Sequence, residues 1–410
     1  MKVKNICDHK KLGNKLKLFF FYKRFNNNLP IFLSSGLFII NKIKNFLKKI
    51  NLKNNYEEVM TPYIGNFNLY KKSGHLDKYS RKMFQIKDKK KNYLKPMNCP
   101  YHCLILKNLN NISYKKFPIR IFEFGTVFRN ELSGELNGLF RLKHFTQDDG
   151  HIFCKNIKEV KCEIKKIINI IFIIYKKFNL NNYFIRLSLR NFKKNKNYIG
   201  KKKIWIKSEN LLKQILKKVK YKYKKKIYIK YGEAAFYGPK IDFIIKDNLN
   251  RKWQVSTIQL DYNISKKFKI LYNNKQNILK YPILIHRALI GSIERFLGIL
   301  LEYNYGLLPI WLLKIQLIII PINKKFLNYS INIKKYFFKK KVRVNIDIEY
   351  DNLNNKIKKY EKLKIPFIFI IGNKEKKNNS IYIRDIFNNK IGEYKKKYIY
   401  KYILKKIKNN

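Results

Sequence analysis

Apolar positions follow two different periods along the chain, and the change of period marks out its elements. Where apolar residues recur every three to four positions, one face of a helix is expected to be buried. The predicted helices are residues 14–50 with a break at 26–30, 157–178, 205–219 and 286–301. Where short apolar runs are separated by Gly, Pro and Asn, strands are expected. The predicted strand regions are residues 56–149, 226–246 and 253–262.

A different pattern begins after the segment LLPIWLL at residues 307–313. It contains four short apolar runs, namely IQLIIIPI, VRVNIDI, PFIFIIG and SIYIRDI, and helical segments alternate with them near residues 325–339, 353–363 and 393–408. This alternation is typical of a compact α/β domain of about 100 residues. We therefore predict two domains: residues 1–310, an α+β domain built on a mainly antiparallel sheet, and residues 311–410, a small α/β domain.

Composition and charge narrow the class of protein. Hydrophobic residues make up 46% of the 410 positions and aromatic residues 15%, so the chain can bury a full core and is not a disordered polybasic protein. The formal charge of +66 favours a polyanionic partner, with nucleic acid ahead of a membrane surface. An AT-rich coding bias favours the same Lys, Asn, Ile, Phe and Tyr residues, so charge alone does not establish how much of it contacts nucleic acid.

Neither a membrane span nor a disulfide framework is expected. No apolar run reaches the length of a transmembrane helix. The N-terminal sequence MKVKNICDHKK lacks a secretory signal, and the five cysteines are an odd number in a long chain. These features predict a protein of the reducing cytoplasm.

Several polar segments contain residues that could be catalytic or could bind a metal, but the local spacing of these residues does not identify a particular kind of site. Cys99 lies in KPMNCPYH, His151 in TQDDGHIFC, and His286 in LIHRALIGS at the predicted start of a helix. No two of them have the spacing of a local metal-binding pair, and an ordinary buried or surface role is the alternative for each. In the segment FRNE, predicted as a strand, Arg129 and Glu131 would share one face.

Taken together and in order, these pieces resemble one family. The segments that carry the resemblance are DHKKLGNKL, YEEVMTPYI, SGHLDKY, LKPMNCPYHCLI, PIRIFEFGTVFRNELSGELNGLFRLKHFTQDDGHIFC, EAAFYGPKIDF, WQVSTIQLDY and ILIHRALIGSIERFLGILLE. They resemble the threonyl-tRNA synthetases, which are class II aminoacyl-tRNA synthetases, from about Asp8 to about Gly392. The resemblance implies the class II synthetase fold for the first domain and an anticodon-binding α/β domain for the second.

The resemblance implies a zinc site formed by Cys99, His151 and His286, with one Zn²⁺ per subunit. Three protein ligands leave a fourth position open for substrate. In this family the metal takes the amino and hydroxyl groups of threonine, which rejects valine far better than an apolar pocket would. The other residues that match the family's amino-acid pocket are Asp149, which would accept a hydrogen bond from the threonine hydroxyl, Gln147 and Tyr237.

The implied reaction has two steps. Threonine and ATP give threonyl-adenylate and pyrophosphate, and the threonyl group then passes to the terminal adenosine of tRNA(Thr). Arg129 matches the arginine that bridges the substrate carboxylate and the α-phosphate, where negative charge develops. Glu131 would read the adenine amino group, and Phe145 would stack on the adenine ring. Arg141 and Arg295 would hold the far phosphates together with Mg²⁺.

Other matched positions concern the partner subunit and the tRNA. Pro62 matches a proline that lies at the dimer interface in the family, so a homodimer is implied. His75 and Gln254 match positions near the acceptor end of the tRNA. In the second domain, Glu375 and Arg384 match positions that read anticodon bases, a role for which the Arg fork suits base edges.

The chain also departs from the family. Most bacterial members carry two further N-terminal domains, one of which hydrolyses mischarged Ser-tRNA(Thr), whereas this chain begins almost at the catalytic core. We expect serylation of tRNA(Thr) without correction in cis, because serine offers zinc the same amino and hydroxyl groups. Val255 and Ser256 replace the usual Cys-Gly, and Tyr101 replaces a usual Gly, which puts the shape of the pocket in question.

Two alternatives remain at this level. A synthetase-like protein that binds RNA without aminoacylating would be expected to lose Arg129, Arg295 or a zinc ligand, and all of these are present. A prolyl enzyme shares the architecture, but the set of Cys99, His151 and His286 argues against it.

Overall fold

The computed structural model describes residues 8–22, 29–89, 91–109, 112–193, 198–386 and 391–409. The chain divides into two compact units. One comprises residues 44–299, and the other joins residues up to 43 with residues from 300 onwards. The domain boundary expected at residue 310 stays a prediction.

Thirteen α-helices occur in the described ranges. They are α1 (His9–Lys15), α2 (Ser34–Lys53), α3 (Phe67–Ser73), α4 (His75–Tyr79), α5 (Cys99–Asn108), α6 (Ile157–Lys177), α7 (Lys202–Tyr223), α8 (Ile264–Lys267), α9 (Ile293–Tyr303), α10 (Leu327–Lys339), α11 (Leu353–Lys362), α12 (Asn373–Lys377) and α13 (Lys396–Asn409).

Twenty strands occur in the same ranges. They are β1 (Phe19–Phe21), β2 (Pro30–Phe32), β3 (Glu57–Glu58), β4 (Ile64–Asn66), β5 (Asn92–Leu94), β6 (Ile112–Ser113), β7 (Ile119–Phe128), β8 (His144–Cys154), β9 (Tyr183–Leu189), β10 (Ile227–Tyr231), β11 (Lys240–Lys246), β12 (Lys252–Asp261), β13 (Tyr272–Asn273), β14 (Leu279–Lys280), β15 (Ile283–Ala288), β16 (Leu317–Pro321), β17 (Val344–Ile346), β18 (Phe367–Ile371), β19 (Ser380–Asp385) and β20 (Ile391–Lys395).

The unit of residues 44–299 is built on an eight-stranded sheet with the order β10-β9-β11-β12-β15-β8-β7-β3. Its inner pairs are antiparallel, and only the two outermost pairs are parallel. Helix α6 begins where the Asn156 side chain accepts a hydrogen bond from the Glu159 N–H, and its isoleucine face packs on β8, β12 and β15. The predicted α+β fold on a mainly antiparallel sheet is therefore confirmed.

Two helix predictions are wrong in part. Phe19–Phe21 form strand β1, paired with β2, and not the continuation of a helix, because a run of aromatic residues packs well on a pleated surface. The segment around His286 belongs to strand β15. Helix α9 starts only at Ile293, after Gly291 has turned the chain with a φ of 71° that side-chain-bearing residues rarely adopt.

The strand predicted for FRNE is also wrong. Strand β7 ends at Phe128, and the Arg129 N–H makes one further hydrogen bond in the same register, to the Lys143 carbonyl. Arg129 and Glu131 therefore lie in the loop after β7, and strand alternation does not decide their directions.

The C-terminal part of the other unit has a five-stranded sheet with the order β17-β16-β18-β19-β20. The β17-β16-β18 pairs are parallel and the rest antiparallel. Helices α10 and α13 cover one face of this sheet, while α11 covers the other, so β16 and β18 are buried on both faces. This explains why their sequences are continuous apolar runs and confirms the predicted α/β domain. Within the described ranges, none of the helices combines the length and apolar character needed to cross a bilayer.

Candidate active site

A cavity of about 570 Å³ opens in the unit of residues 44–299. It lies against strands β8, β12 and β15 and the loop that follows β7. Thirteen of the fifteen residues predicted for the site line it. These are His75, Cys99, Arg129, Glu131, Arg141, Phe145, Gln147, Asp149, His151, Tyr237, Gln254, His286 and Arg295. The sheet therefore gathers residues that lie more than 200 positions apart in the chain.

Strand β8 supplies the densest part of the cavity wall. Because side chains alternate along a strand, its odd-numbered positions share one face. Four of its five odd-numbered residues, Phe145, Gln147, Asp149 and His151, line the cavity. The even-numbered Asp148 is fully buried and accepts a hydrogen bond from Arg287 instead.

One end of the cavity brings together a thiol and two imidazoles. His151 on β8 stands directly opposite His286 on β15, and His151 Nε2 lies 2.8 Å from His286 Nδ1. Cys99 reaches the same point from the first turn of α5. One donor atom from each residue lies within 4.8 Å of the other two. The antiparallel register thus assembles a cluster that local sequence spacing could not reveal.

The chemistry of this cluster fits a zinc ion. Zinc sites in proteins commonly combine thiolate and imidazole ligands, and here the two imidazole nitrogens are 2.8 Å apart and the three donor atoms lie within 4.8 Å of one another. Burial raises the pKa of the Cys99 thiol well above its ordinary value and lowers the pKa of His151 well below its own. Burial therefore opposes a bare thiolate, and a divalent cation would favour it.

Asp149 lies beside this cluster. It is 7% exposed and accepts a hydrogen bond from Asn98 Nδ2 at 3.0 Å. Its pKa is raised because burial outweighs the neighbouring His102 and the hydrogen bond from Asn98. On the facing wall, the Tyr237 hydroxyl donates to Gln259 Oε1. The cluster is therefore flanked by the Asp149 carboxylate and by fixed polar groups.

Two arginines line the other end. The Arg129 guanidinium lies 5.1 Å from the centre of the Phe145 ring, and Arg295 Nε donates to the Phe140 carbonyl at 2.7 Å. Neither guanidinium has a carboxylate partner within ion-pair distance among the residues described. Burial, followed by the charges of Arg129 and Arg141, lowers the pKa of Arg295. The two guanidinium groups therefore make this end of the cavity suited to binding a polyanion.

Glu131 is held between two cations. Its Oε2 lies 2.8 Å from Arg141 Nη2 and 3.1 Å from Lys82 Nζ. Burial alone would raise the pKa of Glu131, but the hydrogen bonds from Arg141 and Lys82 outweigh it and lower the pKa to about 2. The carboxylate is therefore ionised and can only accept hydrogen bonds.

The departures from the family pattern have different consequences. Val255 lines the cavity, whereas Ser256 and Tyr101 are not among the lining residues. Ser256 is fully buried: its hydroxyl donates to the Leu289 carbonyl and lies 2.8 Å from the Tyr175 hydroxyl on α6. The Tyr101 hydroxyl donates to the Ile64 carbonyl. Only Val255 therefore touches the space where a substrate would sit.

Sequence reasoning missed three buried polar residues around the cluster. His102 contacts His151, Glu123 contacts His102, and Asp261 lies near His286. His102 follows Cys99 by three positions on α5, so helical spacing gives it a signal. Glu123 and Asp261 have no local signal, because only the sheet brings them close.

The last two predicted residues belong to the other unit. Glu375 is 8% exposed, and its Oε2 accepts a hydrogen bond from the Gly372 N–H at the start of α12. Arg384 on β19 pairs with Glu361 on α11 at 3.1 Å, with about a third of its side chain exposed. Each residue has a structural contact, and neither shares a cavity with the thirteen residues above.

Comparison with known proteins gives two family matches. Residues 83–304 match the class II tRNA synthetase core domain (G, H, P, S and T), and residues 316–406 match an anticodon-binding domain. Threonine–tRNA ligases of Azobacteroides pseudotrichonymphae and Bacteroides fragilis are 42% and 41% identical over 94% and 92% of this chain. The chain spans 59% and 58% of the length of these two relatives.

Solved structures agree. The RNA binding domain of threonyl-tRNA synthetase from Cryptosporidium parvum superposes with a TM-score of 0.87 and 33% identity, covering 97% of this chain and 98% of that one. A putative threonyl-tRNA synthetase from Aeropyrum pernix superposes with a TM-score of 0.84 and 27% identity, and the match covers 98% of this chain and 96% of that one. Prolyl-tRNA synthetase of Giardia lamblia shares the fold. It superposes with a TM-score of 0.79 and 16% identity, covering 99% of this chain and 81% of that one.

Proposed function

Because the chain belongs to the threonyl-tRNA synthetases of class II, we propose that it activates L-threonine with ATP and transfers the threonyl group to the 3′ end of tRNA(Thr). One observation carries the proposal: a thiol and two imidazoles converge at one end of the cavity, and the other end holds two arginines that have no acidic partner within the described part of the chain. An amino acid and a nucleotide would bind in one space, with their reacting groups between them.

The amino-acid end would be set by five side chains. Cys99, His151 and His286 would hold Zn²⁺, which when bound supplies a position that prefers an oxygen ligand and so separates threonine from valine. The Asp149 carboxylate would accept a hydrogen bond from the threonine hydroxyl. The Tyr237 hydroxyl faces the same space and would fix the orientation of the amino acid.

The nucleotide end would stabilise charge. In the first step, a threonine carboxylate oxygen forms a bond to the α-phosphorus, and the bond from that phosphorus to the bridging oxygen breaks to release pyrophosphate. Arg129 would contact the carboxylate and the α-phosphate, and Arg295 the leaving phosphates, with Mg²⁺ and Arg141. Phe145 would stack on adenine, and the ionised Glu131 would accept from its amino group.

In the second step, a terminal ribose hydroxyl of the tRNA attacks the threonyl carbonyl, and AMP leaves with the carboxyl-to-phosphorus oxygen. His75 and Gln254 line the cavity where that ribose would enter. His75 Nδ1 lies 2.8 Å from the Ser73 hydroxyl, which holds its ring in place.

Threonine-dependent exchange between ATP and pyrophosphate tests the proposal. We expect exchange with threonine, weaker exchange with serine, and none with valine or proline. Exchange with proline instead of threonine would refute the assignment. A chain that binds tRNA(Thr) but gives no exchange with any amino acid would support the alternative, an RNA-binding protein without aminoacylation activity.

A homodimer is part of the proposal. Several large apolar side chains next to Pro62 and in the loop after β7 are exposed: Met60 by 90%, Tyr63 by 53%, Ile64 by 50% and Leu132 by 73%. Exposed apolar side chains of this size fit a partner surface. Light scattering should give a dimer for the wild type and a monomer for Met60→Asp. Tyr350→Asp, at a 97% exposed position of the other unit, should stay dimeric. A monomeric wild type would refute this part.

Serine handling follows from the same end of the cavity. Serine carries the amino and hydroxyl groups of threonine, so we propose that the 410-residue chain forms Ser-tRNA(Thr). We also propose that it does not hydrolyse this product. Incubation of purified Ser-tRNA(Thr) with the chain should leave the ester bond at its spontaneous rate of hydrolysis. Faster loss would contradict the proposal. A cytoplasmic location stays a prediction.

A further inference from the structure

Five side chains lie in a row that runs through the metal cluster, from Glu123 on β7 to Asp261 on β12. His102 Nε2 lies 3.2 Å from Glu123 Oε1, and His102 Nδ1 lies 2.7 Å from His151 Nδ1. On the other side of the cluster, His151 Nε2 is 2.8 Å from His286 Nδ1, and His286 Nε2 is 3.4 Å from Asp261 Oδ2. All except His286 are at least nine-tenths buried.

The carboxylates at the two ends fix the positions of the protons in between. A carboxylate only accepts, so His102 donates from Nε2 to Glu123, and its Nδ1 keeps a lone pair that accepts from His151 Nδ1. His286 likewise donates from Nε2 towards Asp261. Lone pairs on His151 Nε2 and His286 Nδ1 are therefore left facing each other across 2.8 Å. A cation bound by both nitrogens, or a proton on one of them, would satisfy these lone pairs.

We propose that Glu123 and His102 are positioning residues for the metal site, holding His151 in the tautomer and orientation that turn Nε2 towards the metal. The inference rests on the proposed zinc site and adds residues to it. Outer partners of a ligating histidine raise its basicity and fix its ring, and their removal commonly weakens metal binding about tenfold to a hundredfold.

Glu123 is itself held firmly. It accepts hydrogen bonds from the Thr61 N–H at 3.1 Å and the Thr61 hydroxyl at 2.9 Å. The fully buried Lys95 lies 3.6 Å from Glu123 and donates to the Thr61 hydroxyl at 2.7 Å. Burial alone would raise the pKa of Glu123, but the hydrogen bond from His102 and the charge of Lys95 hold it below its ordinary value. The end of the row is thus a fixed negative charge.

The test compares Glu123→Gln with Glu163→Gln in the full chain. Glu163 is as deeply buried in the same unit and pairs with Arg120 at 2.7 Å, away from the metal cluster. Zinc affinity is measured by competition with a chelator at fixed pH. Glu123→Gln should bind zinc about tenfold to a hundredfold more weakly than the wild type, and Glu163→Gln within about twofold of it. The absorption of the cobalt(II)-substituted protein should change in Glu123→Gln only.

The outcomes separate the two proposals. Wild-type protein that binds no zinc would refute the zinc site itself. Zinc bound equally by the wild type and Glu123→Gln, or lost equally from Glu163→Gln, would refute the positioning role alone. If Glu123→Gln does not fold, His102→Gln decides by the same measurement: an affinity at least tenfold lower supports the role, and wild-type affinity refutes it.

Discussion

The residues predicted for the site have different surroundings in the cavity of residues 44–299 and in the domain that matches an anticodon-binding family. In the cavity, thirteen residues from strands, helices and loops converge, and Arg129 and Arg295 have no acidic partner among the residues described. In the other unit, Glu375 caps its own helix and Arg384 pairs with Glu361. Bond-making chemistry needs several groups at one point, whereas reading a base needs only one side chain at a time. A residue proposed to read a base could therefore also serve the fold.

The largest effect should come from the metal end of the cavity. Cys99→Ala should lose zinc and threonine activation together, because two imidazoles alone leave the site short of a ligand. Cys103→Ala, one turn later on α5 and also fully buried, is the matched control and should keep both. Zinc analysis and pyrophosphate exchange measure the two properties. Full threonine activation by metal-free Cys99→Ala would show that activation does not require the metal.

The arginine end should give the next largest effect. Arg295→Ala should lower pyrophosphate exchange about 100-fold to 1,000-fold, because a donor aimed at developing charge is lost, while zinc content stays unchanged. Arg295→Lys should recover only part of the activity, since the charge returns without the planar fork. Equal exchange by Arg295→Ala and the wild type would mean that this end of the cavity does not bind the phosphates.

A smaller effect is expected from Arg384 in the C-terminal domain, and it should fall on a different reaction step from the effects of the cavity residues. Arg384→Ala should lower the rate of tRNA charging about fivefold to 150-fold, the cost of one base contact, and leave pyrophosphate exchange unchanged. Glu361→Gln removes its ion-pair partner but keeps the guanidinium. This control should charge tRNA at the wild-type rate. Loss of exchange in Arg384→Ala would mean that the residue supports the fold and not the tRNA.

The smallest effect is a pH dependence at Glu131. Its pKa of about 2 in the folded chain lies below the ordinary value of 4.5, so the stability it contributes is present above pH 4.5 and is lost as the pH falls towards 2. Urea unfolding should therefore show the wild type more stable than Glu131→Gln at pH 6, with a smaller difference at pH 4. Glu361→Gln, in an exposed pair, should change stability by less than about 1 kcal/mol at either pH. A difference that grows on acidification would contradict the ion pair.

The sequence predicted the fold class well, because the apolar periods and the family motifs cover most of the chain. The errors occur where local pattern and tertiary context disagree. His286 sits in an apolar run that reads as the start of a helix, yet β12 and β8 pair with it as a strand. The loop position of Arg129 could not be read from alternation either. Glu123 and Asp261 could not be found at all, since only strand register brings them close to the cluster of Cys99, His151 and His286.

The opposed positions of His151 and His286 limit how this protein can change. Residues directly across an antiparallel pair have Cα atoms about 4.5–5.5 Å apart, a distance fixed by the backbone. Loops can lengthen and lysines can accumulate on the outside without altering it. If the proposed function holds, the choice of amino acid would be insulated from drift at the surface, because two of the three proposed zinc ligands stand on this ladder.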